Sequence, residues 1–211
     1  MSANFTDENL INGWGVAFNP TGLVWVSAEG AGKSVLYDGN GQPQALVVSV
    51  PGPGGAAGSP TGIVFSGGMG FVVSDGTTTG PARFLFATGQ GTIAGWAPNV
   101  NATNALTAVD NSKQEAVYTG LALSGNGSTQ LLYACNFRKA RIDVFDGTFE
   151  SVTVPGGLPI RTCPVNTRRS AFRRSAATSM SLMRNKKKRA AMKKRRAPVW
   201  AWSMCSIHKV I

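Results

Sequence analysis

A glycine-led opening that returns three times constrains this chain more than any other feature. Gly15-Val16-Ala17-Phe18, Gly62-Ile63-Val64-Phe65 and Gly120-Leu121-Ala122-Leu123 share the pattern Gly-apolar-x-apolar, with their glycines 47 and 58 residues apart. Between the openings lie short runs rich in Val, Phe, Tyr, Trp and Leu, broken by Gly, Asn, Asp and Pro. Such runs are strand and turn signals, and no sustained helical period competes with them. Stacked, they give three units of four strands: 14–18, 23–27, 34–39 and 45–50; 62–65, 70–75, 82–86 and 91–96; 120–123, 131–136, 140–147 and 149–154. Each unit closes its second strand on a short pair, Ser27-Ala28, Ser74-Asp75 or Cys135-Asn136.

Four strands per repeat at this spacing predict the blades of a β-propeller, which closes radially and leaves few exposed edges. A β-sandwich competes, since seven or more short strands also fit it. The unit length and the recurring opening favour the propeller. The expected fold class is all-β: a partial β-propeller of about three four-stranded blades over residues 1–157, then a disordered or irregular basic tail over 158–211. The glycines are expected in turns of positive φ and in innermost strands packed too closely for a Cβ. Trp14, Trp25 and Trp96 are expected to pack between blades. Three blades cannot close a ring, so the end sheets should expose edges and apolar faces, with self-association as the consequence.

Charge divides the chain at the same place. The whole carries 21 Lys+Arg against 10 Asp+Glu, a net +11. Residues 1–160 hold six Lys+Arg, ten Asp+Glu and all 26 glycines, for −4. Residues 161–211 hold fifteen Lys+Arg and no Asp, Glu or Gly, for +15. Arg168-Arg169, Arg173-Arg174, 186–189 and 193–196 have the form of a nucleic-acid-binding arm, because clustered Lys/Arg bind phosphates by counterion release. The plainer reading is a solvated charge run. A third reading outranks both and makes a nucleic-acid partner the minor expectation: the tail is translated out of frame. Reading the third base of each codon with the first two of the next, Arg161 to Phe172 admits Asp-Leu-Pro-Gly-Glu-Tyr-Ala-Pro-Phe-Gly-Val. Ala176 to Asn185 admits Gly-Asn-Leu-Tyr-Val-Thr-Tyr-Ala-Lys-Gln. Trp200 to His208 admits Gly-Leu-Val-Asp-Val-Phe-Asp-Pro-Gln, which repeats the in-frame Ile142-Asp143-Val144-Phe145-Asp146. One shift near residues 156–161 accounts for all three strings and for the lysines.

The openings also carry a resemblance. Asn12-Gly13-Trp14-Gly15-Val16-Ala17-Phe18-Asn19-Pro20 is similar to the Asn-Pro-Trp-Gly-Ile-Ala-Phe-Asn-Pro opening of an uncharacterised family of bacterial propeller-like proteins. That family is related to NHL-repeat propellers, and some members carry PEP-CTERM sorting tails. Leu36-Tyr37-Asp38-Gly39-Asn40-Gly41, Ser59-Pro60-Thr61-Gly62-Ile63-Val64-Phe65, 82–96 and Ile142-Asp143-Val144-Phe145-Asp146-Gly147 agree in order, so the likeness runs over roughly residues 5–157. It implies a protein about twice this long, exported or surface-associated, with six blades, of which this chain would be the N-terminal half. No export signal is expected from the residues after Met1, and no apolar run of membrane-spanning length occurs.

Little chemistry is expected. The single histidine, His208, lies in the basic tail, so the body lacks the partner that a Ser-His-Asp or Cys-His site needs. The three cysteines are too scattered for a disulfide framework or a metal knuckle, and Cys135 is expected to be a small buried hydrophobe in a strand. Asp38, Asp75, Asp143 and Asp146 recur at strand ends, where turn capping is the ordinary role. The sharper alternative is a divalent cation in the central channel, held by Glu29, Asp75 and Asn136, whose oxygen ligands suit Ca²⁺ or Mg²⁺. The Gly52–Gly58 stretch lacks the Lys-Ser/Thr of a phosphate loop and is expected to be a plain loop. The leading functional expectation is a non-enzymatic scaffold that binds a protein or small molecule at the propeller face. A metal-dependent lactonase-like propeller is the alternative.

Overall fold

The computed structural model describes residues 4–20, 22–67, 70–125 and 130–153. The basic tail, with Cys163, Cys205 and His208, lies outside the described residues. The described part is all-β. The first sheet is an antiparallel meander of β1 (Gly13–Phe18), β2 (Val24–Ala28), β3 (Lys33–Tyr37) and β4 (Pro43–Ser49), in that order. The second runs β5 (Pro60–Phe65), β8 (Phe84–Thr88), β9 (Thr92–Trp96) and β10 (Leu106–Asp110), with β6 (Val72–Ser74) and β7 (Thr79–Pro81) as a separate hairpin inserted after β5. The third contains β11 (Tyr118–Gly125), β12 (Gln130–Asn136) and β13 (Arg141–Asp146). Beyond β13 the chain turns back: Phe145 bridges Ser151, and Val152 N–H donates to the Val144 carbonyl at 2.8 Å. This is the start of a fourth strand, and the architecture is that of consecutive propeller blades.

The second blade departs from the expected strand assignment. The run at 70–75 is not its second strand; β8 holds that place, and β10, missed in the sequence, supplies the fourth. The reason is that Phe71 and Val73 find burial outside a blade. Phe71 N–H donates to the Gly147 carbonyl, and Val73 lies over Gly95 of β9, where a glycine Cβ would sit 2.7 Å from it. Leu106-Thr107-Ala108-Val109 has no aromatic residue and only weak alternation, so its strand signal was faint.

The repeat is visible in backbone detail. Gly13 pairs with Ala28, Pro60 with Thr88 and Tyr118 with Asn136, and in each blade the register slips immediately afterwards, between 13/16, 60/63 and 118/121. A bulge at the same place in every inner strand bends it locally and carries Gly15, Gly62 and Gly120 through the bend. These glycines mark backbone approach. A Cβ on Gly15 would collide with the Thr61 carbonyl, and one on Gly62 would stand 2.5 Å from Leu121 N and 2.7 Å from the Gly120 carbonyl carbon.

Side chains alternate between two cores. Phe84 and Phe86 of β8 face the first sheet, and Trp25 stacks on Phe84 with ring centroids 4.2 Å apart and tilts against Trp96 at 4.7 Å. Leu85 and Ala87, on the opposite face, join Ile93, Tyr118, Leu132, Ala134 and Phe145 between the second and third sheets. Trp25 and Trp96 therefore pack between blades as expected. Trp14 does not stack there: it is half-exposed, and its indole N–H reaches the third blade, donating to the Thr119 carbonyl of β11 at 3.2 Å, while Val16 and Phe18 stand exposed on the outer face of β1. The N-terminal segment covers part of that face. Tyr37 Oη donates to Asp7 and Lys33 Nζ to Asn9, both at 2.8 Å, so this segment lies over Val35, which sits between those two anchors and is buried.

Candidate functional site

A polar network marks one end of the second and third blades. Asp143 on β13 is its hub. Its Oδ2 accepts from Asn136 Nδ2 at 2.8 Å and from Tyr118 Oη at 3.1 Å, and its Oδ1 accepts from Arg141 Nε at 2.6 Å. Asn111, in the loop after β10, donates its amide to Tyr118 Oη at 2.8 Å and so ties the second blade into the third. The cross-strand register places these groups: Asn136 pairs with Arg141 and Ala134 with Asp143, so the end of β12 and the start of β13 present their polar side chains together. Asn136 Oδ1 in turn accepts from Val117 N–H at 3.4 Å and Lys139 N–H at 3.3 Å, fixing the loop between β12 and β13.

Asn111, Asn136, Arg141 and Asp143 of the network line a cleft of about 300 Å³ together with Gln114, Lys139 and Glu150. Burial raises the Tyr118 hydroxyl to about 12, with the Asp143 charge adding to that rise and the Asn111 amide opposing it. The phenol is thus a proton donor at any physiological pH, held on a carboxylate. The Arg141 side chain is 60% exposed while Asp143 is 11% exposed, so the anion is sheltered and the cation reaches solvent. Such an arrangement is suited to holding the polar part of a ligand by hydrogen bonds.

Four other aspartates are occupied by turns. Asp38 Oδ1 accepts from Asn40 and Gln42 N–H, Asp75 Oδ1 from Thr77 and Thr78, Asp110 Oδ1 from Ser112, and Asp146 Oδ1 from Thr148 and Glu150. Hydrogen bonds favour the charged form, so all four carboxyls lie below the usual aspartate range, chiefly through Gln42, Thr78, Ser112 and Thr148 respectively. Asp143, expected to cap a turn as well, is instead a mid-strand hub. The sequence held a partial signal for the network in the polar Asn136 and Asp143, but nothing in it linked them to Tyr118 and Asn111.

The residues singled out for a cation are placed as follows. Glu29 and Asn136 lie at the same end of their blades, just past β2 and at the close of β12. Asp75 lies in the β6–β7 turn, which leaves from the end of β8 opposite Thr88, because Thr88 occupies the blade position expected for Asp75. Glu29 Oε2 accepts from Asn12 Nδ2 at 2.8 Å. Among the described residues, no three His, Cys, Asp or Glu side chains are grouped for a metal. Cys135 is exposed rather than buried, since it lies on the side of β12 turned away from the second blade. Residues 53–55 form a single 3-10 turn within a loop, as expected of the Gly52–Gly58 stretch.

No family profile matches the chain. It is similar to three uncharacterised proteins of Acanthamoeba polyphaga mimivirus. One is 29% identical over 127 residues, covering 60% of this chain and 23% of that protein. The second is 28% identical over 145 residues, covering 68% and 37%, and the third 28% identical over 149, covering 70% and 36%. The chain thus spans between 23% and 37% of the length of these relatives. Among solved structures it is similar to virginiamycin B lyase from Staphylococcus aureus, at 12% identity and a TM-score of 0.44, over 68% of this chain and 41% of the lyase.

Proposed function

We propose that this propeller is a non-enzymatic binding scaffold whose ligand, a protein or small molecule with polar groups, docks at the cleft over Asp143. One observation carries the reading. The network of Asn111, Tyr118, Asn136, Asp143 and Arg141 is mutually hydrogen-bonded, so it presents fixed donors while keeping its carboxylate and phenol paired. General acid–base work at a hydrolytic site favours a group with pKa near the operating pH. The shifted aspartates here are pushed down and the Tyr118 phenol up, away from neutrality on both sides.

The test is an assay of lactone and ester hydrolysis by the full chain, with EDTA and with added Ca²⁺ or Mg²⁺, alongside a thermal-shift screen of small polar ligands. The expected result is no turnover above background under either condition, together with ligand-dependent stabilisation that Arg141→Ala removes. Metal-dependent turnover would overturn the scaffold reading in favour of a lactonase-like propeller.

A further inference from the structure

The cleft between the second and third blades breaks the repeat at both of its ends. Asp143 of β13 pairs with Ala134, as Val35 of β3 pairs with Val26 and Ala94 of β9 with Phe86. These partners face Leu121, Val16 and Ile63 of the three inner strands. Asp143 therefore holds the place that the other two blades give to a buried valine and a buried alanine. Sheltering a carboxylate there costs desolvation that the fold does not require. The second break is in the turn after β13. Asp38 accepts from Asn40 and Gln42 N–H, and Asp146 accepts from Thr148 and Glu150 in the same pattern. The fourth residue of each turn donates its N–H to the aspartate carbonyl and has a positive φ. In the first blade it is Gly41, at 83°; in the third it is Phe149, at 67°. A bulky side chain is seldom kept in that conformation.

Both departures line the cleft. Arg141, Asp143 and Phe145 alternate along β13 and so share one face. Phe145 bridges Ser151, beside the turn that carries Phe149. The cleft is thus polar at the Arg141 end and apolar at the Phe145 end, about 13 Å away along the strand. Asp143 is occupied by three donors, Asn136, Tyr118 and Arg141. Its bond to Arg141 Nε engages one edge of the guanidinium and leaves the two terminal nitrogens for a ligand. That planar fork matches a carboxylate. Lys139 lines the same end, while Arg138 is paired with Glu115 at 3.0 Å. Two cations, Lys139 and Arg141, therefore stand against the single carboxylate of Asp143, and Glu150 follows Phe149 at the far end. Resting on the reading of this cleft as a binding site, we infer that its ligand is a small amphiphilic carboxylate. Its anion sits on Arg141 and Lys139, its apolar body lies along Phe145 and Phe149, and Asp143 is the positioning residue that holds Arg141.

Calorimetric titration of the 211-residue chain with 4-phenylbutyrate, its amide and butyrate tests this. The acid should bind at least about tenfold more tightly than the amide, the scale of a hydrogen bond to a charged group. Butyrate, which lacks the ring, should also bind at least about tenfold more weakly than 4-phenylbutyrate. Arg141→Gln should abolish the preference for the acid. Asp143→Asn keeps an acceptor for Tyr118 and Asn136 but not for Arg141 Nε. Because it also removes a negative charge, charge alone would tighten binding, whereas loss of positioning weakens it. Phe149→Gly, which restores the residue of the first blade, should bring 4-phenylbutyrate down toward butyrate. The three-ligand comparison needs no variant and decides even where a variant unfolds. Equal binding of acid and amide, or binding of neither, would overturn the inference; tighter binding by Asp143→Asn would overturn the positioning role. Polar ligands of another class that still require Arg141 would leave the scaffold reading standing, and metal-dependent hydrolysis would remove that reading as well.

Discussion

The first and second blades open on nearly the same sequence and bury it very differently. Ile63 of β5 is 6% exposed, and Val16, its counterpart in β1, is 60% exposed. Phe65 is half-buried against Phe84, and Phe18 is 65% exposed. Every residue of β8 and β9 is buried, because the second blade has a neighbour on each face. Among the described residues the first blade has a neighbour on one face only, and its N-terminal segment shields Val35 while leaving Val16 and Phe18 bare. The difference teaches that a blade's inner strand is written for two neighbours, and that burial follows from which are present.

The sharpest way to break the comparison is at the glycines. Gly62→Val should abolish cooperative folding, because its side chain must enter space already held by Leu121 N and the Gly120 backbone; an unchanged thermal melt would refute the close approach. Next in size, Phe84→Ala should cost about 3–5 kcal/mol by cavity formation in a well-packed core, whereas Phe18→Ala should stay within about 0.5 kcal/mol, as surface substitutions do. Denaturant titrations of the two variants check this, and similar losses would erase the distinction between the blades. Removing the hub of the polar network comes third. Asp143→Ala leaves Tyr118 Oη and the Asn136 amide without their acceptor and should cost about 1–3 kcal/mol.

The smallest expected effect is alkaline. Tyr118 is raised from 10.0 to about 12 by burial, so the folded state holds that proton more tightly than the unfolded chain. Its contribution is fully present below pH 10 and is lost as pH rises toward about 12. Tyr37, raised in the same direction by burial and by its bond to Asp7, adds to the loss. A pH series of melts should show stability falling from pH 10 upward in the parent and less steeply in Tyr118→Phe.

The blades were legible because their signals are local. Glycine-led inner strands and aromatic second strands fixed the propeller reading, and the close approach at Gly15 and Gly62 follows from the same glycines. What escaped depends on tertiary choices. Phe71 and Val73 have the alternation of a blade strand but are buried as a hairpin lying over Gly95, while β10, poor in large apolar residues, pairs only because β9 offers it an edge. Cys135 read as buried because its strand is buried on one side, and the sequence does not say which side has a neighbour. The Asp143 network escaped for a related reason: Asn111, Tyr118, Asn136 and Asp143 meet only through the register of three strands and a loop.

Native-state hydrogen exchange followed by mass spectrometry tests the central claim most directly, because it reads local opening blade by blade in the intact chain. The amides of β5, β8 and β9, covered on both faces, should exchange slowest, and those of β1, bare on one face, markedly faster. Protection of β1 equal to that of β5 would mean that its outer face is covered in solution, and would contradict the account of a middle blade packed on both faces beside a first blade bare on one.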